Sequence, residues 1–96
     1  MSFFARISPL TYDEVIRGLK KLGFSKRKNK STAHEQWVAD DPFRKVTVDK
    51  HISPFSISLI KSMAKQAEVS TKEFHRLCKD KKYLLPSQSL LKGKER

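Results

Sequence analysis

The sequence predicts an α+β domain with the element order α-β-β-β-α, in which a three-stranded antiparallel sheet carries helices on one face. Residues 11–22 and 56–67 both repeat apolar residues at helical spacing, and the segment between them alternates apolar and polar residues between short turns. A chain of 96 residues has room for one modest core. We therefore predict a single domain over residues 1–78 and a short helical, partly disordered C-terminal extension over residues 79–96.

The first helix is predicted over residues 11–22. Thr11 and Glu14 form a capping box at its start, and Gly23 is suited to the left-handed conformation that ends many helices. The apolar face of this helix consists of Tyr12, Val15, Ile16, Leu19 and Leu22.

Three short strands are predicted to follow, over residues 24–28, 33–39 and 43–49. Asn29-Lys30-Ser31-Thr32 and Asp40-Asp41-Pro42 supply turn residues between them. Short connections of this kind favour an antiparallel meander.

Side chains alternate between the two faces of a strand, and this determines which residues of the second strand are buried. Glu35 and Trp37 are expected to point toward the core, whereas His34 and Gln36 face the opposite, open side. An aromatic ring such as that of Trp37 can also stack on a nucleobase, but its spacing favours a core position.

A second helix is predicted over residues 56–67, and a capping box from Ser70 to Glu73 opens a short third helix. The apolar side of the second helix contains Ile57, Ile60, Met63, Ala64 and Ala67. Phe24, Phe43, Phe74 and Leu77 are also predicted to pack in the core. Cys78 has no partner at disulfide or metal-ligand spacing, which predicts a partly buried thiol in a reducing compartment.

The charge balance indicates a polyanionic partner. The chain contains 21 Lys and Arg against 10 Asp and Glu, a formal net charge of +11, and residues 17–31 contain no acid. Nucleic acid is the first candidate and an acidic protein the second. No apolar run is long enough to span a membrane, and no secretory leader is evident, so we predict a cytoplasmic protein that does not bind membranes.

His34 follows the lysine-rich stretch directly and is the candidate catalytic residue. Imidazole titrates near neutral pH, so it can accept and donate protons during RNA cleavage. Lys28 and Lys30 are placed to stabilise negative charge on a phosphate. Without a visible partner, an exposed strand histidine with no catalytic role remains an alternative. His51 is a possible auxiliary proton donor or a loop residue without a role.

His75, the third histidine, lies in the predicted third helix and is expected to be solvated. The sequence lacks the spacing of a metal-ligand cluster, so we predict a reaction that uses neither a metal nor another cofactor.

The order helix, three strands, helix resembles a double-stranded-RNA-binding domain. The residue pattern is more specific: it runs from Leu10 to Phe24, continues through Lys30-Ser31-Thr32-Ala33-His34-Glu35-Gln36-Trp37 and Val46-Thr47-Val48, and ends with Ile60 to Ser70 and Glu73-Phe74. This pattern resembles the HicA, or YcfA-like, family of bacterial toxins. The resemblance implies an mRNA interferase, an endoribonuclease, that is neutralised by a HicB-type antitoxin.

The resemblance assigns the active histidine to His34. In the family this histidine follows a glycine-serine turn, which Ser31-Thr32-Ala33 replaces here, and Asp49 stands where a proline is frequent. We predict that RNA is bound by Lys26, Arg27, Lys28, Lys30, Ser31 and Thr32. The expected partners are mRNA and an acidic antitoxin. The alternative is a non-catalytic RNA-binding module with the same fold.

Overall fold

The computed structural model of the chain describes residues 7–28 and 34–84. The elements in chain order are α1 (Tyr12–Lys21), β1 (Ser25–Lys26), β2 (His34–Ala39), β3 (Arg44–Asp49), a 3-10 turn (Lys50–Ile52), α2 (Ile57–Ala67) and α3 (Thr71–Lys79). The predicted α-β-β-β-α order and the additional helix are therefore confirmed. Among the described helices, none has the length and apolar character needed to cross a membrane.

The three strands form one antiparallel sheet in the order β1-β2-β3. Trp37 pairs with Lys26 on one side and with Val46 on the other, and Glu35 pairs with Val48. Because directly paired residues share a face, these pairs place the side chains of Glu35, Trp37, Val46 and Val48 together on the core side. All four are buried, as the alternation in the sequence predicted.

Serine and threonine caps start the three α-helices. The Thr11 hydroxyl accepts a hydrogen bond from the Glu14 amide and the Glu14 carboxylate accepts one from the Thr11 amide, which completes the predicted capping box. The Ser56 hydroxyl accepts from the Leu59 amide at the start of α2, and the Ser70 hydroxyl accepts from the Glu73 amide at the start of α3. At Ser70 the predicted capping box is incomplete, because the Glu73 carboxylate accepts from the Ser70 hydroxyl and not from its amide. Each cap satisfies amide groups that have no partner within the helix, so the three helix starts follow from local sequence.

The core lies between the sheet and the helices, and α1 packs closely on α3. A Cβ atom at Gly18 on α1 would collide with the sulfur of Cys78, so the small residue permits this approach. Phe74, Leu77 and Cys78 are fully buried. Burial raises the pKa of the Cys78 thiol to about 12, which leaves it protonated and unreactive at neutral pH.

Helix α2 runs beside the free edge of β3. The Thr47 amide, which faces away from β2, donates to the Gln66 side chain at 3.1 Å. The Arg44 guanidinium donates to the Ala67 carbonyl at 3.4 Å. These contacts cover an edge strand that would otherwise present unpaired backbone groups, and they place α2 next to the open face of the sheet.

Phe43 was expected to pack in the core but is 61% exposed, so this prediction is wrong. Ile57, on the predicted apolar side of α2, is 43% exposed. Strand β3 begins at Arg44 rather than at residue 43, which leaves Phe43 in the turn, outside the pleated surface that would bury it. Ile57 is the first residue of α2, and the buried residues of this helix begin one turn later, at Ile60.

The remaining differences concern element ends. The first strand covers Ser25–Lys26 and begins after Phe24, because the Phe24 amide still bonds to the Leu19 carbonyl at the end of α1. In the predicted C-terminal extension, Tyr83 packs against the core with the Arg76 guanidinium 4.1 Å from its ring centre. Residues 85–96 of that extension lie outside the described residues.

Candidate functional site

His34 is the first residue of β2 and points to the open face of the sheet. Its side chain is 62% exposed, whereas the next residue, Glu35, is only 4% exposed. The alternation of the strand therefore presents the imidazole to solvent while its neighbour is buried. The predicted orientation of His34 is confirmed.

Asp49 lies next to His34 on the neighbouring strand and on the same face of the sheet. The two residues are direct partners at the ends of β2 and β3, and the Nε2 atom of His34 lies 3.2 Å from Oδ2 of Asp49. The second carboxylate oxygen accepts a hydrogen bond from the His51 amide at 3.0 Å. Asp49 thus ends β3, caps the 3-10 turn and contacts the imidazole with one carboxylate.

A groove of about 250 Å³ opens between His34 and α2. Thr47 and Gln66 provide polar atoms in this groove, and His34 and Asp49 also line it. Its apolar lining consists of Ile52, Phe55, Leu59 and Met63. A concave, amphipathic surface next to an exposed imidazole has the general character of a site for a small organic group.

The basic residues of the first hairpin divide between the two faces of the sheet. The Arg27 amide donates to the Gln36 carbonyl at 2.8 Å, which extends the antiparallel pairing and places Arg27 on the face of Gln36 and His34. Lys26 pairs with Trp37 on the other face, where its ammonium lies 3.6 Å from Glu35. Of these two cations, Arg27 is the one on the face of the imidazole.

A further cation on the open face is Lys45 in β3, which is exposed and pairs with Val38 in β2. Lys21, in contrast, is directed toward the end of α3, where its ammonium donates to the Leu77 carbonyl at 2.9 Å. Burial lowers the pKa of Lys21. The positive charge near the end of α1 therefore serves partly to cap α3.

The other predicted site residues fall into three groups. Lys28 is exposed just beyond β1, while Lys30, Ser31 and Thr32 lie outside the described residues. His51 is exposed in the 3-10 turn. Within residues 7–28 and 34–84, no group of three His, Cys, Asp or Glu side chains is arranged to hold a metal ion.

His75 was expected to be solvated, and this prediction is wrong. Its ring is half-buried, and Nε2 lies 3.1 Å from the amide nitrogen and 3.0 Å from the carbonyl oxygen of Ser8. The residue connects α3 to the segment that precedes α1. Its contacts are structural and lie away from the open face.

Beneath the site, on the core side of β2, Glu35 is held by a polar network. Its Oε1 atom accepts hydrogen bonds from the Tyr12 hydroxyl at 2.6 Å and from the Trp37 indole at 3.1 Å. Burial alone would raise the pKa of Glu35, but these hydrogen bonds and nearby Lys26 outweigh it and lower the pKa. Burial and the Glu35 carboxylate raise the pKa of Tyr12 to about 12.

We expect Glu35→Gln to lower the free energy of unfolding at neutral pH by about 1.5–3 kcal/mol, because the charge-assisted hydrogen bonds become neutral ones and the attraction to Lys26 is lost. A carboxyl group whose pKa is lowered on folding stabilises the native state above its unfolded pKa of about 4.3, and that contribution disappears as pH falls through the folded value. Urea titrations at neutral and acid pH should therefore show a flatter pH dependence for Glu35→Gln than for the wild type.

The exposed Glu68→Gln is the matched control and is expected to change the free energy of unfolding by less than about 0.5 kcal/mol. Equal effects of the two substitutions would contradict a stabilising role for the Glu35 network.

Two residues of the site were not among the predicted site residues. Asp49 was not predicted as a partner of His34, and Lys45 was placed on the face opposite Val46 and Val48 but not among the RNA contacts. For both residues, the register of the β2-β3 hairpin could have been derived from the sequence. The turn over residues 40–43 sets the register, and counting outward from it in equal steps pairs His34 with Asp49. The same count places Lys45 on the open face.

Comparison with known proteins identifies the family. The family model described as the HicA toxin of bacterial toxin-antitoxin systems matches residues 12–69. This range extends from α1 past the end of α2 and includes the whole sheet, His34, Asp49 and the groove. No curated protein matches the chain. Since the matched range covers more than half of the 96 residues, the chain belongs to the HicA family of bacterial toxins.

Proposed function

We propose that this HicA toxin is an endoribonuclease that cleaves mRNA and that His34 transfers the proton in the cleavage step. The observation that carries the proposal is the position of His34, which is exposed, lines the groove and lies on the same face of the sheet as Arg27 and Lys45. An imidazole and cations on one accessible surface suit acid-base chemistry on a phosphodiester.

The proposed reaction is an internal transfer of the phosphoryl group. A base removes the proton of the ribose 2′-hydroxyl, the 2′ oxygen forms a bond to the adjacent phosphorus, and the bond from phosphorus to the 5′ oxygen breaks. The departing 5′ oxygen takes up a proton, so the products are a 2′,3′-cyclic phosphate and a 5′-hydroxyl. Each proton transfer assisted by a positioned group contributes about 10²–10⁴-fold to the rate. His34 is the proposed proton-transfer group, and the step needs no metal or cofactor.

We further propose that RNA lies on the open face through contacts between phosphates and basic side chains. Arg27 and Lys45 share this face with His34, and Lys28 is exposed near it. Lys30, Ser31 and Thr32 remain proposed contacts. Lys26 lies on the other face, beside Glu35, and remains a proposed contact only at the edge of the sheet. Phosphate contacts position a nucleic acid without reading its sequence, and they release counterions on binding.

Arg27→Ala is expected to weaken RNA binding and to reduce the slope of log affinity against log salt by about 0.7, the value for one lost phosphate contact with a single strand. Fluorescence anisotropy with a labelled RNA, in a His34→Ala background that leaves the probe intact, would measure both quantities. Lys81→Ala removes an exposed charge after α3 and should leave the slope unchanged. Equal slopes for all three proteins would contradict the proposed contact.

Membership in a toxin-antitoxin family implies an antitoxin partner. We propose a HicB-type protein that is acidic on the surface facing this toxin and covers His34. An acidic surface would be attracted to the cations that attract RNA, and by occupying them it would compete with the substrate. Both partners and the RNA would be located in the cytoplasm.

The proposal is tested by incubating the purified chain with a single-stranded RNA that carries a label at each end. We expect fragments with 2′,3′-cyclic phosphate and 5′-hydroxyl ends, formed equally in the presence of a metal chelator. His34→Ala purified in parallel controls for ribonuclease from the host. Binding of RNA without any cleavage would support the non-catalytic RNA-binding module instead.

A further inference from the structure

We propose that Asp49 is a positioning residue for His34: its carboxylate orients the imidazole and stabilises the imidazolium that forms during proton transfer. This inference rests on the catalytic role proposed for His34. It assigns to Asp49 a function beyond its structural position at the end of β3.

The sheet register brings the two side chains together. His34 and Asp49 are direct cross-strand partners, so their side chains emerge on the same face, and Nε2 lies 3.2 Å from Oδ2. The pairing is set by backbone hydrogen bonds along the entire β2-β3 hairpin. The contact therefore does not depend on two long, flexible side chains meeting at a surface.

The carboxylate is more firmly held than the imidazole that it contacts. Its other oxygen accepts the His51 amide at 3.0 Å, and the Asp49 side chain is 22% exposed against 62% for His34. An acceptor fixed by the backbone and partly removed from water acts as an anchor for the exposed ring. Partial burial also strengthens its attraction for a positive charge compared with the same pair in bulk water.

The geometry also selects a tautomer. A neutral imidazole that donates from Nε2 to Asp49 carries its lone pair on Nδ1, and we assign to Nδ1 the uptake of the 2′-hydroxyl proton. The 2′ oxygen then bonds to phosphorus while the 5′ oxygen leaves and takes a proton from water. The hydroxide so formed accepts the proton of the imidazolium, which restores the neutral ring.

Nitrogen-15 NMR of the histidine rings in the wild-type protein tests this assignment without any measurement of activity. At a pH where the imidazole is neutral, Nε2 of His34 should carry the proton, and Asp49→Ala should shift the ring toward a mixture of tautomers. A His34 ring that carries its proton on Nδ1 in the wild type would overturn the inference, whether or not the protein cleaves RNA.

Kinetics with Asp49→Ser separate orientation of His34 from capping of the 3-10 turn. Serine can still accept the His51 amide but is too short to reach the imidazole. We expect kcat to fall about 10–100-fold, as for other losses of a group that orients a functional histidine, with KM within about twofold of the wild-type value. Unchanged kcat in Asp49→Ser would overturn the inference.

Asp40→Ser provides the matched control, because it makes the same change at an exposed position in the hairpin turn at the far end of β2. It should leave kcat and the tautomer of His34 unchanged. A loss of kcat in Asp40→Ser equal to that in Asp49→Ser would show that the effect is one of net charge and would also overturn the inference. Failure of the wild type to cleave RNA would reject the proposed function and leave the NMR result to decide the role of Asp49.

Discussion

His34→Ala is expected to reduce the rate of RNA cleavage by about 10²–10⁴-fold, the usual contribution of one positioned proton-transfer group. The side chain is 62% exposed, and its removal opens no cavity in the core. The free energy of unfolding should therefore change by about 0.5 kcal/mol or less, as for other surface substitutions. Single-turnover cleavage of a labelled RNA measures the rate, and urea denaturation measures stability.

Two other histidines serve as controls for this result. His75→Ala removes a half-buried imidazole from α3 and is expected to affect stability rather than cleavage. His51→Ala tests the predicted auxiliary role, because its imidazole is exposed in the turn after β3. Cleavage by His34→Ala at the wild-type rate would reject His34 as the catalytic group, and a matching loss in His51→Ala would establish a second one.

Phe74→Ala is expected to lower the free energy of unfolding by about 3–5 kcal/mol, because it creates a cavity in a packed core. Phe74 is fully buried on α3, beyond the range that matches the family. For a domain whose total stability is about 5–15 kcal/mol, such a loss would leave much of the protein close to unfolding at elevated temperature. The change in the midpoint of urea unfolding, at unchanged slope, gives the measurement.

Phe43→Ala makes the same chemical change at a position that is 61% exposed and should cost less than about 1 kcal/mol. The comparison tests the distinction between these two residues, which the sequence did not reveal. Equal losses for the two variants would mean that α3 does not contribute its buried phenylalanine to the core.

Local patterns predicted most of the secondary structure. Thr11, Ser56 and Ser70 begin the three α-helices because a side-chain oxygen can satisfy amides within the same few residues. The alternation of β2 placed Glu35 inside and His34 outside, since the two faces of a strand follow a period of two. Both rules act over a few residues and require no knowledge of distant contacts.

Burial of individual apolar residues was less predictable. Phenylalanine is a residue type common in strands, but Phe43 is exposed because the hairpin turn covers residues 40–43 and not only the predicted 40–42. Lys21 belongs to the stretch 17–31 that contains no acid, yet its ammonium caps the end of α3. Each outcome depends on where another element ends, and that position is not encoded in the neighbouring residues.

The sequence by itself determined the fold class, the family resemblance and the orientation of His34, because helix caps, strand alternation and local charge are properties of adjacent residues. Only the tertiary structure decided what surrounds that histidine. Asp49 comes within hydrogen-bonding distance because β2 and β3 pair in one register, and the groove exists because α2 lies against the edge of β3. The residues of the site are far apart in the sequence, and strand pairing and helix packing bring them together in space.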